Sequence, residues 1–165
     1  MILVDTSVWI DHFNGYDSDE AAYLLLCIAD ASPLVIPGLV LTEILFGVRN
    51  QSEAARVTRV MSAFDLAPEF ERQDYELAAE LYRACRARGV TPRSTIDCLI
   101  ARLCLRYGYE LLTKDRDFEA ISRFYPLRLA SLPKGVQDLA AAYGPPPRPA
   151  ATSRRASAPR RSSRA

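Results

Sequence analysis

The stretch Ile2-Leu3-Val4-Asp5-Thr6-Ser7 sets the pattern from which the fold can be predicted. Its first three residues form an apolar, β-branched run that is typical of a short buried strand. Asp5-Thr6-Ser7 then supplies side chains that cap helices, so a helix is expected to begin there and to end at Asn14-Gly15. A carboxylate that directly follows a buried strand is therefore expected at the edge of a sheet.

Three further apolar runs predict strands, and helical spacing of apolar residues predicts most of the segments between them. The strands are expected at 33–37, 110–113 and 127–129, and the helices at 18–31, 38–48, 52–64, 73–88, 94–107 and 117–124. Short, mostly apolar strands that alternate with helices indicate a parallel sheet covered on both faces. The expected fold class is α/β, a three-layer α/β/α sandwich with a short, mainly parallel sheet.

The 165 residues suffice for one domain and not for two. We assign this domain to residues 1–143. Residues 144–165 are rich in Pro, Ala, Ser and Arg without apolar periodicity, and we expect them to form a disordered basic tail. Residues 145–165 hold six arginines and no acid, so the rest of the chain carries 15 basic and 20 acidic residues, a net charge of −5.

Composition excludes several kinds of protein and of active site. No apolar run is long enough to cross a membrane, and the N-terminus lacks the basic start of a signal peptide, so a cytoplasmic location is expected. The four cysteines match neither a zinc motif nor a disulfide framework and are expected to be buried and reduced. His12 is the only histidine, which argues against a histidine-based zinc site or a Ser-His-Asp triad. An enzyme of this composition would rely on carboxylates, hydroxyls and a bound metal.

Two carboxylates, Glu43 and Asp97, fall on the apolar faces of predicted helices. Their neighbours on the same face are Leu39, Val40, Phe46 and Gly47 for Glu43, and Ile100, Ala101, Cys104 and Leu105 for Asp97. Both side chains are therefore predicted to point toward the core. A buried carboxylate without a partner costs several kcal/mol or loses its charge, so a cation or hydrogen-bond donors should accompany it.

Two more acids, Asp5 and Asp115, follow predicted strands and should meet at the same sheet edge, with Asp97 beside them. Four converging carboxylates call for a divalent cation, and oxygen-only ligands favour Mg²⁺ or Mn²⁺ over zinc. Each acid also has a simpler interpretation: Asp5 as a helix cap, Asp97 as an acid at a helix N-terminus, and Asp115 as part of a solvated turn. The four together favour a functional site.

The ordered motifs of this chain resemble those of the PIN-domain family and, within it, of the VapC toxins. They are Ile-Leu-Val-Asp5-Thr6-Ser7, Leu-Thr-Glu43-Ile-Leu-Phe-Gly47, Asp97-Cys98-Leu99-Ile100-Ala101 and Thr113-Lys114-Asp115-Arg116-Asp117-Phe118, within residues 1 to about 130. The resemblance implies a Mg²⁺- or Mn²⁺-dependent endoribonuclease. It also implies a homodimer held in check by a VapB-like antitoxin whose peptide occupies the active-site groove. The basic tail is not part of the family pattern.

The resemblance also implies roles for individual residues. Asp5, Asp97 and Asp115 would hold one or two metal ions, with Glu43 a direct ligand or acting through water, and Glu43 or Asp117 would take a proton. The hydroxyls of Thr6 and Thr113 would hold the scissile phosphate or a water. Four arginines are candidates for RNA contacts: Arg83, Arg86, Arg88 and Arg93. For Arg83 and Arg86, a solvated helix face is the slightly favoured alternative.

Some alternatives stay open at this point. Phe46 fits either a groove for an antitoxin peptide or the core, whereas Trp9 and Phe13 are expected in the core. A PIN-like DNA nuclease is a rival activity, although such enzymes carry insertions for which this chain has no room. A phosphatase would need Asp where Ser7 stands, and a non-catalytic binding module would not need all four acids.

Overall fold

The computed structural model describes residues 1–144, and the rest of the predicted basic tail lies outside them. Five strands and eight helices form this part of the chain. In chain order they are β1 (Ile2–Val4), α1 (Thr6–Asn14), α2 (Asp19–Ala29), β2 (Leu34–Ile36), α3 (Gly38–Phe46), α4 (Gln51–Met61), β3 (Asp65–Leu66), α5 (Arg72–Ala87), α6 (Thr95–Tyr107), β4 (Glu110–Leu112), α7 (Arg116–Ser122), β5 (Arg128–Leu129) and α8 (Val136–Ala141). The predicted α/β fold with a parallel sheet flanked by helices is confirmed.

The strands pair in the order β3-β2-β1-β4-β5, and every pairing is parallel. Ile2 of β1 lies opposite Leu34 of β2 on one side and Glu110 of β4 on the other. The chain moves outward from β1 to β3 and then returns to the opposite side of β1, so the strand order reverses between β1 and β4. In open parallel sheets, ligands bind at the carboxyl ends of the strands beside such a reversal. The residues that follow β1 and β4 are placed at that position.

The core lies between the central strands and the helices that cover them. Leu3 and Val4 of β1 are fully buried, as is Trp9 of α1, whose ring lies 6.0 Å from that of Phe13. The core positions predicted for Trp9 and Phe13 are therefore confirmed. All four cysteines are buried and free of disulfide bonds, as predicted. No helix within residues 1–144 is long and apolar enough to cross a membrane.

An ion-pair cluster around Asp74 joins α5 to α6. The Asp74 carboxylate is 1% exposed, accepts a 2.6 Å hydrogen bond from Arg106 and lies 3.5 Å from Nε of Arg102. Burial alone would raise the pKa of Asp74, but the backbone N–H of Glu71 and the two arginines outweigh burial, so that its pKa falls below the ordinary value. The long α5–α6 pair is thus held together by a charge cluster that is largely removed from water.

Two elements were not predicted, and several helix ends differ from expectation. Strand β3 and helix α8 have no counterpart among the predicted segments. Helix α4 begins one residue earlier, because Asn50 and not Ser52 caps it, accepting from the backbone N–H of Glu53 at 2.9 Å. Helix α3 ends at Phe46, two residues before its predicted end, and α7 covers Arg116–Ser122 instead of 117–124.

Candidate active site

Three of the four predicted acids lie at the N-termini of helices that start beside the strand reversal. Asp5 is the N-cap of α1, Asp115 is the N-cap of α7, and Asp97 lies in the first turn of α6. The N-terminus of a helix carries partial positive charge, which stabilises a nearby carboxylate by about 0.3–1 kcal/mol. The fold therefore offsets part of the repulsion between these acids through its backbone.

Asp5 is buried, with 6% of its surface exposed, and is held by hydroxyl groups. Its Oδ2 accepts hydrogen bonds from Oγ of Ser7 at 2.6 Å and from Oγ1 of Thr113 at 3.1 Å. Its backbone N–H donates to the carbonyl of Leu112 at 2.9 Å, which ties the end of β1 to the end of β4. Asp5 thus acts as a helix cap and also belongs to the acid cluster, so the two interpretations of this residue are compatible.

Glu43 reaches the cluster from α3 through a single strong contact. Thr6 Oγ1 donates to Glu43 Oε2 at 2.5 Å, across 37 residues of sequence. The Glu43 side chain is only partly buried, and Phe46, on the same face, is 84% exposed. The prediction that Glu43 points into the core is therefore wrong, as is the alternative of a core role for Phe46. Only Val40 and Ile44 of α3 are buried, and the face that bears Glu43 borders solvent.

Asp115 and Asp117 share one arginine. Arg93 donates from Nη2 to Asp115 Oδ1 at 2.8 Å, and from both its backbone N–H (2.8 Å) and Nε (3.1 Å) to Asp117 Oδ2. The backbone N–H of Asp115 donates to Thr113 Oγ1 at 3.0 Å, so the Thr113 hydroxyl links Asp115 to Asp5. Of the four arginines predicted to contact RNA, Arg93 is the one that touches the acids within the described residues.

Asp97 is the acid with the most unfavourable surroundings. Burial raises its pKa first, and the negative charges of Asp115, Asp5, Asp117 and Glu43 raise it further, from 3.8 to about 7. No cation or hydrogen bond among residues 1–144 compensates. The hydrogen bonds through Thr6, Thr113 and Arg93 described above hold the other four acids at one sheet edge, and Asp97 lies within electrostatic range of all of them.

The donor chemistry of this cluster fits a hard divalent cation, because every candidate ligand is an oxygen and the local charge is negative. The side chains do not, however, form a closed cage as they stand. Within residues 1–144, no three Asp, Glu, His or Cys side chains are arranged to hold a metal ion. The carboxylate of Asp115 is paired with Arg93, and binding an ion there would require that pair to loosen.

One ion pair beside the cluster was not predicted. Nζ of Lys114 lies 2.5 Å from Oδ2 of Asp11, which is buried on α1 with 3% of its surface exposed. This pair fixes the turn between Thr113 and Asp115 against α1. A signal existed in the sequence, since Asp11 stands one helical turn after the apolar Val8, the kind of position that singled out Glu43 and Asp97.

The other three candidate arginines form no ion pair with these acids within the described residues. Arg83 lines a cleft between α5 and the start of α6. The guanidinium of Arg86 lies 5.9 Å from the ring centre of Tyr82, and that of Arg88 lies 5.4 Å from the ring centre of Phe124. Arg86 and Arg88 are therefore engaged with aromatic rings, on which a cation is weakly stabilised.

Comparison with known proteins connects this geometry to a family. The family model described as "PIN domain" matches residues 2–123. The chain belongs to the PIN-domain family. All five clustered acids lie inside the matched region, so the sheet edge described above is part of the PIN domain itself.

Curated relatives of this PIN-domain chain cover most of its length. It is 33% identical over 132 residues to ribonuclease VapC11 of Mycobacterium tuberculosis, an alignment that covers 79% of this chain and 98% of the relative. VapC ribonuclease Mb1587 of Mycobacterium bovis matches with the same identity and coverage. The predicted resemblance to PIN domains of the VapC type is confirmed.

Solved structures of VapBC complexes share the fold of this PIN domain. VapBC2 from Rickettsia felis, bound to a DNA fragment from its promoter, gives a TM-score of 0.62 at 19% identity, covering 79% of this chain and 98% of that one. VapBC-1 from nontypeable Haemophilus influenzae gives 0.61 at 18% identity with the same coverage. At these identities the likeness concerns the fold alone.

Proposed function

We propose that this PIN-domain chain is a Mg²⁺- or Mn²⁺-dependent endoribonuclease that hydrolyses RNA phosphodiester bonds as the toxin of a toxin–antitoxin pair. The observation that carries the proposal is the placement of five carboxylates beside the strand reversal, four of them joined by hydrogen bonds through Thr6, Thr113 and Arg93 and the fifth, Asp97, left without a counter-charge. The relatives named VapC ribonuclease, aligned over nearly their whole length, support RNA as the substrate.

Asp5, Asp97 and Asp115 are the proposed metal ligands, with Glu43 either a fourth ligand or joined through water. Asp5 is positioned by Ser7 and Thr113, and Asp115 by the backbone of its own helix N-terminus. A divalent ion bound here would lower the pKa of a water molecule that serves as the nucleophile, and its positive charge would stabilise the negative charge that develops on the phosphate oxygens. The protein's share is to hold these acids in place and to accept the proton.

Glu43 is the better candidate for the proton acceptor. Asp117 Oδ2 already accepts two hydrogen bonds from Arg93, so this oxygen is occupied. Glu43 uses Oε2 to accept from Thr6, which leaves Oε1 available. We therefore assign Glu43 to proton transfer and Asp117 to the positioning of Arg93.

The hydroxyls of Thr6 and Thr113 are occupied by carboxylates and act as positioning groups in this proposal. Thr6 donates to Glu43, and Thr113 donates to Asp5 while accepting from the backbone N–H of Asp115. Contact with the scissile phosphate is assigned instead to Arg93, an exposed cation at the rim of the cluster. Its guanidinium has five N–H donors, of which the pairs with Asp115 and Asp117 use only some.

The proposed antitoxin would contact the exposed face of α3. Phe46 is 84% exposed and follows Glu43 by less than one helical turn, so a protein bound to this face would bury an apolar ring next to Glu43. A partner that covers Phe46 would also cover Glu43 and so block the site. A homodimer remains our expectation for the free toxin.

The experiment that tests this proposal is cleavage of total cellular RNA by the purified full-length protein in Mg²⁺, in Mn²⁺ and in EDTA. Asp5→Asn and Asp97→Asn are compared with the wild type, and Asp17→Asn, an exposed aspartate in the α1–α2 loop, is the matched control. Double- and single-stranded DNA are tested in parallel. Mass spectrometry of the preparation detects a copurified partner protein.

Discrete fragments that require metal, persist in Asp17→Asn and disappear in both site variants would support the proposal. Sequencing of the fragment ends would then identify the target RNA. Cleavage of DNA in preference to RNA would favour the rival PIN-like DNA nuclease. Absence of cleavage by protein free of any partner would overturn the proposal and favour a non-catalytic binding module.

A further inference from the structure

A cleft of about 410 Å³ opens between α5 and the start of α6, next to the acid cluster. Its volume falls within the range of small-ligand sites, roughly 300–1,000 Å³. The residues that matter for its chemistry are two tyrosines, two arginines, a threonine and a leucine: Tyr75, Tyr82, Arg83, Arg93, Thr95 and Leu99. The sequence predicted Arg83 as a candidate for RNA contact, but it predicted neither the cleft nor the two tyrosines in its lining.

The cleft and the acid cluster share Arg93. This residue lines the cleft, and its backbone and guanidinium hydrogen-bond to Asp117 and Asp115. The next residue, Ser94, also lines the cleft and caps α6, the helix that carries Asp97. A ligand in the cleft would therefore lie directly beside the groups proposed to act on the phosphodiester.

The charge of the cleft is opposite to that of the rest of the protein. No acidic residue of residues 1–144 lines it, although that part of the chain carries a net charge of −5. Arg83 contributes positive charge, and the N-terminus of the 13-residue helix α6 adds to it, whereas the charge of Arg93 is shared with Asp115 and Asp117. The cleft is thus suited to an anionic ligand.

The apolar part of the lining is suited to a flat ring. Leu99 and Cys98 are buried in the wall of the cleft, and Tyr75, 52% exposed, holds its ring 5.8 Å from that of Phe70, which supports it from one side. Stacking on an exposed aromatic ring stabilises a bound base by about 1–3 kcal/mol. Thr95, exposed at the first position of α6, offers a hydroxyl to the polar edge of such a ring.

We propose that this cleft binds one nucleobase of the RNA strand beside the scissile phosphate, with Tyr75 as the stacking residue and Arg83 on the adjoining backbone. The proposal rests on the ribonuclease function proposed above and identifies where base preference arises. An anionic, aromatic ligand distinguishes it from a docking site for a peptide of the antitoxin.

The first test is nuclear magnetic resonance titration of the full-length protein in EDTA with the four nucleoside 5′-monophosphates and with ribose 5-phosphate. At least one nucleotide is expected to shift amides of Tyr75–Arg83 and Arg93–Leu99 and to bind at least about fivefold more tightly than ribose 5-phosphate, which lacks the ring. Tyr75→Ala should weaken this binding by between about fivefold and a hundredfold. Tyr75→Phe, which keeps the ring, should retain the affinity, and so should Arg72→Ala, an exposed arginine on the same helix outside the cleft.

Equal binding of ribose 5-phosphate, shifts elsewhere in the protein, or unchanged affinity in Tyr75→Ala would overturn the proposal. The second test compares the RNA ends produced by wild type and Tyr75→Ala, for which we expect relaxed base preference at one position next to the cut. Unchanged ends would overturn the base pocket and leave the ribonuclease intact. Nucleotide binding at the cleft by a protein that cuts no RNA would support the site and refute the ribonuclease. Loss of partner binding without loss of nucleotide binding in Tyr75→Ala would overturn the proposal and reassign the cleft to a protein contact.

Discussion

Replacing Asp97 with Asn should stabilise the metal-free protein, because Asp97 carries a charge that the folded structure disfavours. Burial and four neighbouring acids raise the pKa of this carboxyl from 3.8 to about 7. Each pKa unit corresponds to about 1.4 kcal/mol, so ionised Asp97 costs the fold at most about 4 kcal/mol. The side chain is only half-buried, and solvent screening reduces the expected gain in Asp97→Asn to about 1–2 kcal/mol.

The pH dependence of this gain has a definite sign. Because the pKa of Asp97 is higher in the folded than in the unfolded protein, the folded state binds more protons between about pH 4 and 7. Stability is therefore lost as pH rises through that window, and the loss is nearly complete only at about pH 8, one unit above the folded pKa. The advantage of Asp97→Asn should be small at pH 5 and largest near pH 8, where it corresponds to a rise in Tm of about 2–8 °C.

The assay is thermal unfolding in EDTA from pH 5 to 8.5, followed by circular dichroism, with Asp17→Asn as the control for removal of an exposed charge. Addition of Mg²⁺ at pH 8 should then raise the Tm of the wild type and have little effect on Asp97→Asn, since a ligand stabilises the state that binds it. A variant that is equally or less stable than the wild type at pH 8 in EDTA would refute the electrostatic reasoning. A gain that does not shrink toward pH 5 would refute it as well.

Three other changes have expected outcomes. Asp74→Ala should lower the free energy of unfolding by about 3 kcal/mol, because it leaves Arg102 and Arg106 without their buried partner. Glu76→Ala, which breaks an exposed pair on the same helix, should lower it by less than about 1 kcal/mol, and denaturant unfolding measures both changes. Arg93→Ala should tighten Mg²⁺ binding in calorimetry by freeing carboxylates, yet slow RNA cleavage by about tenfold or more, and wild-type cleavage would contradict its contact with phosphate. Deletion of residues 145–165 should leave the rate of cleavage largely unchanged, and its loss would show that the basic tail takes part in catalysis.

The central strands and the longer helices could be predicted from sequence because local patterns determine them. Strand β3 could not, since Asp65 and Leu66 are both exposed and have no apolar alternation; it exists only through parallel pairing with Val35 and Ile36. Helix α8 is six residues long and is stabilised by packing of Val136 and Ala140 against α2. This tertiary contact cannot be predicted from so short a stretch of sequence.

The acid cluster was predictable because the carboxyl ends of adjacent parallel strands meet at one edge, whatever the details of the side chains. The orientation of Glu43 was not. Helix α3 is apolar on nearly every side, so neighbours such as Leu39 and Phe46 do not reveal which side is buried. The position of Tyr75 beside the cleft could not be predicted either, because whether a tyrosine on an amphipathic helix borders a cleft depends on the position of the next helix.

The arrangement of the site explains how a protein with a net negative body tolerates five clustered acids. Helix N-termini, hydroxyl donors and Arg93 compensate four of them in ways that the structure shows contact by contact. Asp97 has only the N-terminus of α6 and neither a hydroxyl donor nor a cation among residues 1–144, so its charge is the part of the cluster that an added cation would relieve most. If a cation binds here, part of its binding free energy therefore comes from relief of repulsion already present in the folded protein. Neutralising Asp97 should then lower the affinity for metal and raise the stability of the metal-free fold. If the acids served only as helix caps, neutralisation would not produce these opposite changes.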